Sequence, residues 1–174
     1  MKLVTLTLAL AAALTLSGCS DLVSLNPVVT AGQAITDANL AGTWKSDGEL
    51  YIIEPGKAGY TITNTDGKGT SIKFTGTLFK AGDAELLDLV PQDAAFLQLP
   101  VHAVLRIWMT GNQLQFVFLD TKWLRQLATE QLGAVPYNDG SVVTSPSEAL
   151  GAFYGKFGAD PKAYEGDVKV LTRL

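Results

Sequence analysis

The chain has 174 residues, 47% of them hydrophobic, and its 17 acidic residues outnumber its 13 basic ones for a net charge of −4. This length and apolar fraction suit one domain with an ordinary hydrophobic core. The charges are scattered and mostly acidic. Because phosphate backbones are bound by basic patches, we do not expect nucleic acid as a partner.

The first nineteen residues have the three-part layout of a secretory signal. A short basic start, Met1-Lys2, is followed by an uncharged, mostly apolar run from Leu3 to Leu16, and small residues precede Cys19. The apolar run is shorter than the roughly 20 residues that a membrane-spanning helix requires. Two alternatives stay open, namely a plain signal cut elsewhere and an uncleaved anchor helix.

The segment Leu16-Ser17-Gly18-Cys19 resembles the lipobox of bacterial lipoproteins. The resemblance implies that residues 1–18 are a cleaved lipoprotein signal peptide, and that Cys19 carries a diacylglycerol and palmitate-type acylation. Two or more acyl chains give stable anchoring, so the membrane is an expected partner through the N-terminal lipid. In enterobacterial lipoproteins, an aspartate directly after the cysteine favours retention in the inner membrane. This chain has Ser20 at that position, and the resemblance therefore implies the outer membrane and a domain that faces the periplasm.

The mature chain contains few residues that could form a metal or redox site. Removing 18 of 174 residues leaves 156, with 12 basic residues against 17 acidic ones once Lys2 is lost. Cys19 is the only cysteine and His102 the only histidine. Disulfides are thereby excluded, and zinc sites usually need several such ligands, so we expect no metal and no cofactor.

Short strands separated by turns dominate the mature chain. Residues 19–38 predict a flexible tether, because proline, glycine and polar residues interrupt the aliphatic ones. Residues 39–174 predict a single β-rich domain. The predicted strands are Gly42–Lys45, Leu50–Glu54, Tyr60–Asn64, Ser71–Phe79, Glu85–Val90, Val101–Thr110 and Gln113–Leu119. Regular strands of this kind are typical of an antiparallel meander.

Alternation along the strands shows which side chains share a face. Val101, Ala103, Leu105, Ile107 and Met109 lie on one side of the long strand, whereas His102, Val104, Arg106 and Trp108 lie on the other. Large apolar groups occur on both faces of the last two strands. We therefore expect part of the sheet to be covered on one side by a barrel interior and on the other by helices.

Two helices follow the strands. The first is predicted from Asp120, as N-cap, to about Leu132. The second is predicted to start at a capping box with Ser145 as N-cap, and to stop at Gly158. Val142–Thr144 and Asp167–Leu171 are candidate short strands. The predicted fold class is mainly β (α+β), an antiparallel barrel or half-barrel with two C-terminal helices packed on it.

The sequence assigns no catalytic residue. Any Ser-His-Asp or Cys-His arrangement would have to use His102, and no G-x-S-x-G segment is present. A carboxylate pair, as in glycosidases, stays open because its separation is set in space. The carboxylates concerned are Glu49 with Glu54, or Asp83, Glu85 and Asp88.

Gly42-Thr43-Trp44, at the start of the first strand, resembles the beginning of lipocalins and related lipid-binding barrels. That resemblance implies that Trp44 closes one end of a barrel, stacked under an arginine. The available arginines are Arg106, Arg125 and Arg173. Seven strands precede the first helix, where eight are expected. The candidate ligand-binding residues are Trp44, His102, Arg106 and Trp108.

The sequence is compatible with three functions. The leading one is a lipid-anchored cell-envelope protein with a non-enzymatic structural or interaction role, which docks on an envelope protein partner. The second is a lipocalin-like binder of a small apolar or amphipathic ligand. The third is a hydrolase that uses His102 or a carboxylate pair.

Overall fold

A computed structural model describes residues 22–57, 59–92, 99–137 and 140–174. Two α-helices lie in the C-terminal half, α1 at Lys122–Leu132 and α2 at Ser147–Phe157. The strands, in chain order, are β1 Leu22–Ser24, β2 Gly42–Ser46, β3 Glu49–Gly56, β4 Gly59–Thr65, β5 Ser71–Ala81, β6 Ala84–Pro91, β7 His102–Thr110, β8 Gln113–Phe118, β9 Val135–Tyr137, β10 Gly140–Val143 and β11 Lys169–Arg173.

Eight of the strands form a closed antiparallel barrel. From β2 to β8 each strand pairs with the next in a continuous meander. The last strand, β11, then lies between β8 and β2, with Leu171 opposite Leu114 and Arg173 opposite Trp44. The sequence predicted the seven meander strands and left closure open. The eighth strand comes after both helices and completes the barrel.

Three short strands extend the sheet beside the start of β7. β1 pairs with β7 in antiparallel fashion and with β10 in parallel, and β9 pairs with β10. β1 and β8 pair with the same edge of β7. Pairing with β8 begins at Leu105, and β1 pairs with the two preceding residues Ala103 and His102. The extension thus continues one side of β7 past the end of β8.

The described part of the predicted tether differs from the expectation. Leu22 and Val28 are fully buried, and Ile35 forms an isolated bridge with Leu78 of β5. Leu22 and Val28 pack against the apolar outer face of the barrel, whereas Ile35 packs against the interior core. Burial of these aliphatic groups outweighs the conformational freedom of a linker. The chain from residue 22 therefore belongs to the folded domain, while Cys19 and residues 1–18 lie outside the described residues.

Each helix has its N-cap one residue later than predicted. Thr121, not Asp120, is the N-cap of α1, and its hydroxyl accepts a hydrogen bond from the Leu124 amide at 3.2 Å. Pro146 is the N-cap of α2, and the Ser145 hydroxyl donates to the carbonyl of Leu132 at 2.8 Å. Ser145 thereby satisfies a free carbonyl at the end of α1, a role that local sequence does not reveal.

Side chains of opposite parity on the strands form two separate hydrophobic cores. One fills the barrel interior and includes Trp44, Leu105 and Leu171. The other lies on the outer face, where Leu86 and Val104 pack against α1, α2 and the segment after β1. The predicted two-sided coverage of the sheet is thus confirmed, and the interior is the enclosed space in which a ligand could lie.

Candidate functional site in the barrel interior

The barrel is not filled by its own side chains. A cavity of about 320 Å³ lies inside it, which is at the lower end of the range for small-molecule pockets. Fifteen of its sixteen lining residues are aliphatic or aromatic, and the remaining one is an asparagine. The lining residues are Leu40, Tyr51, Ile53, Tyr60, Ile62, Asn64, Ile72, Phe74, Leu87, Leu89, Leu105, Ile107, Leu114, Phe116, Phe118 and Leu171.

One end of the barrel is closed by a group that we call the floor, made of Leu40, Trp44 and Arg173. Trp44 is fully buried, and its indole nitrogen donates to the carbonyl of Leu40 at 3.0 Å. The Arg173 guanidinium lies 4.2 Å from the centre of the Trp44 ring, in cation–π geometry. It also donates to the carbonyls of Ala41, at 3.0 Å, and of Asn39. Of the three candidate arginines, Arg173 is the one that stacks on Trp44.

Gly42 is required at this floor for a steric reason. Its φ angle is +147°, a region that L-residues with a side chain rarely adopt. A β-carbon there would lie 2.6 Å from the Nη1 atom of Arg173. The Gly-x-Trp pattern therefore combines a residue that leaves room for the guanidinium with the ring on which it stacks.

The opposite end is open, and we call it the mouth. Three neighbouring residues of the mouth face inward in register, because Asn64 lies opposite Tyr51 on one side and opposite Ile72 on the other. Exposure rises along the cavity wall, from 1% for Leu171 near the floor to 42% for Ile72 at the mouth. A ligand would therefore enter from the side of Ile72.

A small polar network borders the mouth. The Tyr51 hydroxyl donates to Glu49, and the Lys169 ammonium lies 3.2 Å from the same carboxylate and 3.8 Å from Asp47. The hydrogen bond from Tyr51 is the main reason why the pKa of Glu49 is lowered. Burial is the main cause that raises the pKa of Tyr51, and the hydrogen bond to Glu49 raises it further. The phenol therefore stays neutral and acts as a donor.

Two of the three polar groups in the cavity wall already have partners. Tyr51 donates to Glu49, whereas the Tyr60 hydroxyl donates to the Asp37 carbonyl at 2.9 Å and accepts from the Asp37 amide. The third group is the Asn64 side chain. Its Nδ2 atom is buried and has no hydrogen-bond partner among the described residues. A buried amide donor without a hydrogen-bond partner lowers the stability of the fold, and native structures usually provide such groups with a partner.

The sequence did not single out Asn64, although one signal was available. Tyr60, Ile62 and Asn64 share a face of β4, and the first two are buried in the barrel interior. A polar residue that continues an apolar face is an exception to the strand pattern. It is the kind of residue that fixes a ligand in an otherwise apolar pocket.

The four residues named as ligand contacts from sequence occupy other places. Trp44 forms the floor beneath the cavity, whereas His102, Arg106 and Trp108 lie on the outer face of β7. Arg106 stacks there on Tyr164, with 4.2 Å between its guanidinium carbon and the ring centre. None of these four residues belongs to the described residues that line the cavity.

His102 and Asp88 meet on the outer face. The Nδ1 atom of His102 lies 2.9 Å from one Asp88 oxygen, and the Val28 amide donates to the other at 3.0 Å. Asp88 is 3% exposed. Ser24 of β1 lies opposite His102 in the sheet. It is buried, and its hydroxyl donates to the carbonyl of Asn26. In this arrangement the carboxylate joins β6, β7 and the segment after β1.

The other carboxylates considered from sequence are dispersed. Glu49 borders the mouth, Glu54 and Asp83 are exposed, and Glu85 lies beside the β5–β6 turn. No three histidine, cysteine, aspartate or glutamate side chains come together as a metal site within the residues that the structure describes.

Comparison with protein-family models, with curated proteins and with solved structures finds no match for this chain. The fold itself is a closed eight-stranded antiparallel barrel, consistent with the lipocalin-like barrel that the Gly-x-Trp start implied. Across the described ranges, no helix is both long enough and apolar enough to cross a bilayer.

Proposed function

We propose that this protein binds a small apolar or amphipathic ligand inside its barrel. The observation that carries the proposal is the cavity of about 320 Å³, lined almost entirely by aliphatic and aromatic side chains and open at one end. Small barrels are often packed solid by their own side chains, so an unfilled interior is a specific feature. Transfer of an apolar group from water into such a cavity is favourable.

The cavity sets the size of the ligand. At about 30 Å³ for each water in the liquid, its volume equals that of roughly ten water molecules. We therefore expect a ligand, or a ligand segment, of about ten non-hydrogen atoms. A longer molecule would extend through the mouth past Ile72.

We further propose that the protein is anchored in the outer membrane, facing the periplasm, through lipid on Cys19. The support is the signal layout with its lipobox-like end. Since β1 begins at Leu22, three residue steps separate it from Cys19, a reach of at most about 11 Å. The anchor would thus hold the barrel close to the bilayer surface, from which an apolar ligand can be taken up.

The anchor has a direct test. We expect Cys19→Ser to abolish labelling by fatty-acid analogues and to release the protein from the membrane fraction. Labelling that persists in this variant would contradict both the lipid anchor and the proposed localisation.

Ligand binding is tested with N-phenyl-1-naphthylamine, a neutral dye that fluoresces in apolar surroundings. The blocking variant is Ile72→Trp, which adds bulk at the partly exposed mouth. The matched control is Lys73→Trp, which adds the same side chain at the next residue, on the outward face of β5. We expect saturable binding to the wild type and to Lys73→Trp, and at least tenfold weaker binding to Ile72→Trp. Equal affinity of the two variants would place the dye outside the barrel and contradict the proposal.

The exposed end of the sheet supports a second candidate, docking on an envelope protein. Val135 and Tyr137 of the terminal strand β9 are 59% and 65% exposed, which leaves an apolar edge. Pro136 between them removes a backbone donor and makes simple strand addition less favourable. Crosslinking in native envelopes should then trap one reproducible partner, and a Val135→Lys/Tyr137→Lys variant should lose it. A partner retained by that variant would contradict docking at β9.

A further inference from the structure

We propose that the cavity selects a neutral amphiphile whose hydrogen-bond-accepting oxygen lies at the Asn64 Nδ2 atom and whose hydrocarbon part points toward the floor. This inference rests on the proposed ligand-binding function. It specifies the chemical class of the ligand and the direction in which it lies. Ketones, esters, ethers, alcohols and amides all carry such an oxygen.

The unpartnered donor identifies the missing group. Asn64 Nδ2 is buried in the cavity wall, whereas the hydroxyls of Tyr51 and Tyr60 are already engaged. A bound oxygen atom would give the amide the hydrogen bond that it lacks, while a hydrocarbon would leave it unsatisfied. Affinity should therefore depend on an acceptor at this one position.

The position of Asn64 sets the direction of the ligand. It lies in register with Ile72, the most exposed lining residue, and so belongs to the mouth. Below it the wall consists of buried aliphatic groups such as Leu105, Leu114 and Leu171. The polar end of an amphiphile would thus remain close to water while its chain fills the dry interior.

The charges at the mouth favour a neutral head group over a carboxylate. Two acids, Glu49 and Asp47, flank one base, Lys169, whose ammonium is already paired with them. The network thus carries a net negative charge, which would repel an anionic head group. A free fatty acid should bind more weakly than a neutral molecule of the same chain length.

The test compares three ligands of equal chain length in the full chain, namely octane, 2-octanone and octanoate, each displacing N-phenyl-1-naphthylamine. The variant is Asn64→Leu, which replaces the amide with an apolar group of similar shape. The matched control is Thr63→Val, which removes a polar group from the outer face of the same strand. Thermal unfolding of all three proteins is measured in parallel, since loss of an unsatisfied donor should leave Asn64→Leu at least as stable as the wild type.

We expect Asn64→Leu to weaken 2-octanone about 3- to 10-fold, the effect of one neutral hydrogen bond, and to leave octane unchanged or tighter. Thr63→Val should alter neither ligand. In the wild type, octanoate should bind more weakly than 2-octanone. Equal changes for octane and 2-octanone in Asn64→Leu, or tighter binding of octanoate, would overturn the inference while binding itself stands. If none of the three displaces the dye from the wild type, the proposed function fails as well.

Discussion

The substitution Gly42→Ala tests the floor of the barrel, because it should act through Arg173. The new β-carbon would lie 2.6 Å from the guanidinium and at a φ angle of +147°. The backbone strain should cost about 1–2 kcal/mol. Displacement of the guanidinium weakens its cation–π contact with Trp44 and its two bonds to carbonyls, for about 1–2 kcal/mol more. The free energy of unfolding should therefore fall by about 3 kcal/mol.

A double-mutant cycle separates these two contributions. Urea unfolding, followed by tryptophan fluorescence, is measured for the wild type, Gly42→Ala, Arg173→Ala and the double variant. In the Arg173→Ala background only the backbone strain remains, so Gly42→Ala should cost about 1–2 kcal/mol less there. Effects that add to within about 0.5 kcal/mol would refute the steric link between the two residues.

Three further predictions concern other parts of the molecule. Leu150→Ala, at a fully buried position of α2, should lower the free energy of unfolding by about 2–5 kcal/mol in urea; a loss below about 1 kcal/mol would contradict the outer core. Asp88→Ala leaves His102 and a buried amide without their acceptor and should cost about 3–5 kcal/mol, whereas a thermally neutral variant would show that the pair is not structural. The pKa of Glu49 is lowered in the folded state, so its contribution is present at neutral pH and is lost as pH falls through the folded pKa. Glu49→Gln should therefore be slightly less stable than the wild type near pH 7, by less than about 1 kcal/mol at this partly exposed site, and the difference should disappear as pH falls through the folded pKa. A difference that stays constant with pH would contradict the role of Tyr51 as its donor.

The meander was predictable from sequence because its pairings are local. Turns joined consecutive strands, and alternation along β7 correctly separated Leu105 and Ile107 from Val104 and Arg106. Closure was not predictable in the same way. A strand was predicted at Asp167–Leu171, which overlaps the observed Lys169–Arg173. Its partner β2 lies more than 120 residues earlier, and local patterns carry no information on such pairings.

The site was harder to predict than the fold. His102, Arg106 and Trp108 were grouped correctly on one face of β7, but both faces of that strand meet apolar surroundings, so the pattern could not say which face is the interior. The prediction selected polar and aromatic side chains as ligand contacts, and on β7 these side chains lie on the outer face. The cavity is lined by ordinary aliphatic residues, whose individual identities give no signal, and by Asn64, whose importance appears only once its neighbours are known to enclose a space.

A crystal structure of the purified chain soaked with 2-octanone tests the central claim most directly. We predict density for one molecule inside the barrel, above Trp44, with its oxygen within hydrogen-bond distance of the Asn64 amide. An interior filled by rearranged side chains, or a ligand found only on the outer surface, would contradict the account.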